Sequence, residues 1–387
     1  MHRWIASLGF LTFACSALHA GDGPFADLTF DQARKLAAEQ HKIVLIDFFT
    51  TWCGPCKRLD QITWKDPDVI RFLEQKAVCL KMDAEKETNL ASLHRIEAYP
   101  TMLLLKPDGN EMDRLVGFRE PKAFIEDFTA ALQGKNSVVR AKEKRDAAAD
   151  DDPMARMQYG QALAQGHHDA DALKEYLWCF DEGAAKPGFT GVRVSFLLNA
   201  ILELGRSYPP ARQALETRRD AAEAKLKGGS SDFQLTMDVI NLNRTLAQPE
   251  RNLAVFDALP PGSQARKTAA TLILEQLVEA KRYTNVVDSV DPDADFGRAV
   301  EMFKTQERYM AAHPNREALM PMLRKHTVAE GAMLFEALAG AGEPEKAKAL
   351  AGQILQFDAS AETRQRLNDA AERAGSKGLL DGIKPAN

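Results

Sequence analysis

Ile43-Val44-Leu45-Ile46-Asp47-Phe48-Phe49-Thr50-Thr51-Trp52-Cys53-Gly54-Pro55-Cys56-Lys57 runs from an apolar, β-branched stretch directly into two cysteines separated by two residues. The first seven residues have the composition of a buried strand. Two thiols at this spacing can cycle between dithiol and disulfide, or they can open a zinc site, which needs a second pair of Cys or His ligands. No such pair follows: His41 and His94 are isolated, and Cys79 stands alone in another apolar run. The pair is therefore read as a redox site without a metal. A strand ending near Phe49 and a helix beginning at about Cys53 would set the first thiol at a helix N-terminus, where free N–H groups and the helix dipole favour a thiolate. Cys53 is thus expected to be the nucleophile. Cys56, one helical turn further in and expected to be the more buried, is the resolving thiol. Pro55 fits the first helical turn, Gly54 keeps the face open to another polypeptide backbone, and Trp52 forms an apolar rim.

Beyond this motif the chain resembles the thioredoxin family over about 110 residues. Asp47, six residues before Cys53, falls where that family carries a buried acid that helps deprotonate the resolving cysteine. Tyr99-Pro100-Thr101, followed by Met102-Leu103-Leu104-Leu105, is similar to the family's cis-proline loop and the strand after it. The resemblance implies that Pro100 faces the redox pair and that Tyr99 binds an extended substrate. Lys106-Pro107-Asp108-Gly109-Asn110 reads as a hairpin turn, and Gly117 falls near the end of the next strand, as a family glycine does. Two positions depart from ordinary thioredoxin. Gln61 stands where a kinking proline is usual, and Tyr99 precedes Pro100 where an aliphatic residue or Thr is commoner. The segment from Leu59 to Val69 is more similar to thioredoxin-like domains of bacterial envelope proteins, such as the C-terminal domain of the DsbD interchange protein. Asp47 can also be read as a strand-end acid paired with Lys42, but its place inside an apolar run favours proton transfer.

Residues 1–20 have the three parts of a secretory signal peptide: the basic start Met1-His2-Arg3, an apolar run from Trp4 to Leu18, and a small-residue stretch ending at Ala20. At about fifteen residues the run is short for a bilayer span, so export to the bacterial envelope or beyond is expected over retention as an anchor. The remaining cysteines, Cys53, Cys56, Cys79 and Cys179, are too few and too scattered to staple a secreted scaffold, which makes the pair catalytic rather than structural. Cys79 and Cys179 lie in apolar segments and are read as inert core thiols. A Gly-Pro dipeptide between the cysteines resembles reducing thioredoxins, whereas strongly oxidising relatives carry a His there. The expected activity is a protein-disulfide reductase or interchange catalyst acting on protein disulfides. A disulfide oxidase or isomerase, or a non-catalytic adaptor working through the rest of the chain, are the alternatives. A reductant outside the cytoplasm needs electrons, so a separate membrane donor is implied.

From Thr29 to Leu132 the pattern alternates strand and helix: a helix capped by Thr29, strands at 43–49, 77–82, 101–106 and 112–116, and helices opened by Asp66-Pro67 and by Pro121. The expected fold is an α/β thioredoxin-like domain, a central mixed sheet flanked by helices, over residues 21–134. A charged linker is expected over 135–152, with a helical extension over part of it as the alternative. Residues 153–387 lose the β-branched runs and show apolar residues at helical spacing, as in 154–164 with 169–180, 268–280 with 283–290, and 329–339 with 344–357. They are read as an all-α region loosely resembling tetratricopeptide repeats, with Trp178, Phe180 and Phe196 in its core. His167-His168 is read as a solvated turn. No cofactor is expected, since no phosphate-binding glycine loop appears, and a formal net charge of -5 argues against a nucleic-acid partner.

Overall fold

The computed structural model describes residues 23–311, 316–381 and 383, and the expected signal peptide at residues 1–20 lies outside them. The chain divides after Thr190 into two compact units.

The first unit is built on a four-stranded mixed sheet. Helix α1 (Phe30–Glu39) is opened by a capping box in which Thr29 and Gln32 satisfy each other's backbone N–H groups. Strand β1 (Ile43–Phe49) leads into α2 (Gly54–Gln61), a one-turn 3₁₀ segment at Thr63–Lys65, and α3 (Pro67–Lys76), whose N-terminus Asp66 caps through its carboxylate. Strand β2 (Ala77–Asp83), α4 (Thr88–Leu93), β3 (Thr101–Leu105), β4 (Glu111–Val116) and α5 (Pro121–Leu132) follow. The strand order is β2-β1-β3-β4, with β1 parallel to β2 and antiparallel to β3. Side chains alternate across the sheet. Ile43 and Leu45 point into a layer formed with Leu59, Trp64, Leu73, Phe124 and Phe128, while Val44, Ile46 and Phe48 point toward Ala33, Ala37 and Ala91. The parity of Ile43 and Leu45 carries Asp47 into the same layer as α2.

The charged stretch expected as a linker holds a helix, α6 (Ser137–Ala147), capped by Asn136. It is tied to β4: the buried carboxylate of Asp113 accepts from the Ser137 N–H at 2.8 Å and from Arg140 at 3.2 Å. The charges of this stretch are thus partly spent on docking the helix rather than on solvating a tether. Helices α7 (Pro153–Gln165) and α8 (Asp169–Glu182) pair as a hairpin that belongs to the first unit, so the division by contacts falls later than the composition suggested. Gly160 makes the pairing possible, because a Cβ there would lie 2.8 Å from the Tyr176 ring.

The second unit is helical among its described residues, with helices such as Pro209–Lys227, Phe233–Thr245, Arg316–Gly340 and Pro344–Phe357 around a core containing Phe256, Phe296, Phe335, Leu338 and Ile354. Phe196, expected in the core, is 70% exposed: the π turn Arg193–Leu197 buries Arg193 against Asp238 and buries Leu197, which leaves Phe196 pointing out. Phe180 is buried as expected, and Trp178 is half-buried under Arg156. Gly340 closes helix 316–340 against the ring of Tyr283, whose carbons a Cβ would meet at 2.1 Å, and whose hydroxyl donates to Glu336 at 3.2 Å. No shift of a flexible tip relieves that overlap. Gly340→Ala is expected to cost about 2–3 kcal/mol. The described tryptophans, Trp52, Trp64 and Trp178, all lie in the first unit, so the loss is read as an earlier urea midpoint of the far-UV helical signal. An unchanged midpoint would mean that Tyr283 is not packed on Gly340.

Candidate redox site

The site forms where β1 runs out. The Cys53 N–H donates to the Thr50 carbonyl at 3.2 Å, closing a turn, and Cys53 itself is the N-cap of α2, with extended backbone. Its Sγ accepts from the Cys56 N–H at 3.1 Å, one of the donors that a helix start leaves free. The two sulfurs are joined in a disulfide, with Cα atoms 5.3 Å apart. Cys56 was expected to be the more buried, yet each cysteine is 3% exposed. Bonded to Cys56, Cys53 Sγ is drawn onto the helix, and the difference in access disappears. Gly54 and Pro55 remain exposed, with open space around the position a Gly54 Cβ would take.

The rim is aromatic. Trp52 is 65% exposed, its indole N–H donates to Glu85 at 2.9 Å, and its ring meets that of Tyr99 edge-on at 6.0 Å. That contact brings the loop before β3 beside the cysteine motif. The Tyr99-Pro100 peptide is cis, Pro100 is buried, and its carbonyl accepts from the Gly117 N–H at 2.8 Å. Lys57 is exposed, and Arg58 lies over the Phe118 ring and pairs with Glu120, so neither is held against the thiols by a partner of its own.

Beneath the helix, Asp47 is fully buried. Its Oδ2 accepts from the indole N–H of Trp64 at 2.9 Å, and its Oδ1 has no hydrogen-bond partner. Burial raises its pKa from 3.8 to about 7, against the opposing pull of Lys81 and of the Trp64 hydrogen bond. The cation facing Asp47 is Lys81, its register partner on β2, and not Lys42. Lys81 in turn ion-pairs with Asp60 of α2. Trp64, Lys81 and Asp60 were not found by sequence reasoning. Lys81 had a signal, as the lone cation in the strand run Ala77 to Met82 on the same parity as Cys79, whereas nothing local marked Trp64 as a partner of Asp47.

The other thiols stay outside this arrangement. Cys79 is buried in the sheet and burial pushes its thiol well above the usual range; Cys179 is buried against the Pro153 carbonyl and pushed up to about 12. His167 is half-buried rather than solvated, and burial together with Arg114 and Arg95 lowers its pKa to about 4. Among the described residues no group of three or more His, Cys, Asp or Glu is placed to hold a metal ion.

A family model described as Thioredoxin matches residues 25–130. Thioredoxin Y1, chloroplastic, of Arabidopsis thaliana is 36% identical over 107 residues, covering 28% of this chain and 60% of that protein. Thioredoxin-1 of Saccharomyces cerevisiae is 37% identical over 83 residues, covering 21% of this chain and 74% of the relative. The chain spans about 60% of the length of the chloroplastic relatives it matches. Among solved structures, a putative disulphide-isomerase from Bacteroides thetaiotaomicron is 35% identical, covers 28% of this chain and 92% of its own, and superposes with a TM-score of 0.27. The oxidised C-terminal domain of DsbD from Neisseria meningitidis is 22% identical, covers 25% of this chain and 88% of its own, with a TM-score of 0.23.

Proposed function

The chain belongs to the thioredoxin family through residues 25–130, and from that premise we propose that it is an exported thiol-disulfide oxidoreductase that reduces or interchanges protein disulfides. The observation that carries this reading is the Cys53–Cys56 disulfide at the N-terminus of α2, with open space over Gly54 and an aromatic rim beside it.

In the reduced protein, the Cys53 thiolate attacks one sulfur of a substrate disulfide. The substrate S–S bond breaks, one substrate sulfur leaves as a thiolate and takes a proton from water, and Cys53 is joined to the other. Asp47 then takes the Cys56 proton, and the Cys56 sulfur attacks Cys53 Sγ. The mixed disulfide breaks, the second substrate thiolate leaves, and the Cys53–Cys56 bond closes. Two electrons have passed from the protein to its substrate. Trp52, Gly54, Pro55 and Tyr99 would form the surface on which an extended substrate backbone lies, with the buried Pro100 behind Tyr99. A dithiol donor must return the two electrons, and a membrane carrier is the source consistent with export. Export is supported by the basic, apolar and small-residue pattern of residues 1–20, and the helical second unit is assigned to holding protein substrates.

The direction of flux follows from the reduction potential. The absence of a His between the cysteines supports a reducing pair, because the cation that would stabilise a reduced thiolate is missing. Equilibration of the purified protein with glutathione or dithiothreitol is expected to give a potential near the thioredoxin end, about -270 mV. A value nearer about -120 mV would make the pair an oxidant and overturn the reductase reading.

A further inference from the structure

We propose that Trp64 is a positioning residue of the thiol chemistry: its indole N–H holds one oxygen of the Asp47 carboxyl and leaves the other oxygen as the proton acceptor. The inference rests on the reading of Asp47 as the base for Cys56. An Asp carboxyl turns readily about its terminal torsion, so a buried one needs a partner to present a chosen oxygen. Trp64 supplies a fixed partner. It is 2% exposed and clamped edge-on between Phe25 at 5.3 Å and Phe124 at 5.0 Å, with both interplanar angles at 88°. Its Nε1 lies 2.9 Å from Asp47 Oδ2, while Oδ1 is buried without a partner.

The charged groups that face Asp47 are Lys81 from β2, which favours its carboxylate, and Asp60 from α2, which opposes it and ion-pairs with the same lysine. With Lys81 shared, the indole N–H is the direct hydrogen bond that stabilises the ionised carboxyl against burial. In the resolving step the Cys56 proton passes to Oδ1. The sulfur electron pair so released forms the bond to Cys53 Sγ, and the substrate departs as a thiolate.

The test uses the full chain in its oxidised form, where neither Cys53 nor Cys56 titrates. The Asp47 carboxyl is followed by carbon NMR, assigned by its loss in Asp47→Asn, and the Trp64 indole N–H is followed by nitrogen-proton NMR. In the native protein both signals are expected to move with one midpoint. Trp64→Phe keeps a ring between Phe25 and Phe124 but removes the donor, and is expected to raise the carboxyl midpoint by about one to two pH units. The acid limb of disulfide turnover should rise with it. A folded Trp64→Phe protein with an unmoved carboxyl midpoint would overturn the proposal. Should that variant fail to fold, an indole resonance in the native protein that ignores the carboxyl titration overturns it equally. The oxidised protein performs no turnover, so this titration judges Trp64 even if the chain proves to reduce no disulfide.

Discussion

Cys53→Ser is expected to abolish disulfide reduction, while Cys56→Ser is expected to stop it one step later. A serine hydroxyl is a far weaker acid than a thiol and does not supply the anion that the proposed attack requires, so no nucleophile would be left to open the substrate disulfide. With Cys56→Ser the first attack still proceeds, but nothing resolves the product, and a covalent complex between Cys53 and the substrate accumulates. Insulin reduction measures the first effect, and non-reducing electrophoresis followed by mass spectrometry of the linked peptides measures the second. Cys79→Ser and Cys179→Ser should leave turnover nearly unchanged, since both thiols are buried and held protonated by that burial. Mixed disulfides on Cys79 instead of Cys53 would reassign the nucleophile.

Asp47→Asn is expected to remove a large pH dependence of stability. In the unfolded chain this carboxyl ionises near its ordinary 3.8; in the fold burial raises it to about 7. Well below 3.8 both states hold the proton and the group costs nothing. Between these values the folded state keeps a proton that the unfolded state has lost, so stability falls as pH rises, and above 7 the loss is complete. Its size is on the order of 4 kcal/mol. The Asn variant lacks this decline, so its stability relative to the native oxidised protein should improve steadily from pH 4 to pH 8. Unpaired amide donors cost the variant about 1–3 kcal/mol at every pH, a constant offset that comparison across pH removes. Urea unfolding of both oxidised proteins at the two pH values checks this. Parallel curves would show that Asp47 ionises normally when folded. The same variant should slow the resolving step, because Cys56 then gives its proton to no base.

The first unit was legible almost element by element. Thr29 with Gln32, Asp66 with Pro67, and Pro121 mark helix starts through contacts within one turn, and all three helices begin there. The four strands fall within a residue or so of the apolar runs that announced them, because alternation and β-branching act over the same short range. The cysteine motif announced its own geometry for the same reason: Cys53 caps the helix that contains Cys56. Phe196 was misplaced, since its apolar character said inside while a π turn, which no composition signals, rotated it outward.

What lies in one turn or one strand was thus written in residue order: the α/β alternation, the helical remainder, the redox pair and the acid ahead of it. Adjacency between distant segments was not. Strand register brought Lys81 rather than Lys42 to Asp47, packing under α2 put the Trp64 indole on one oxygen of that carboxyl, and the buried Asp113 turned a charged stretch into a docked helix. Each of these depends on which elements become neighbours. That choice is made by the burial of whole faces, a sum over many side chains that no local pattern contains.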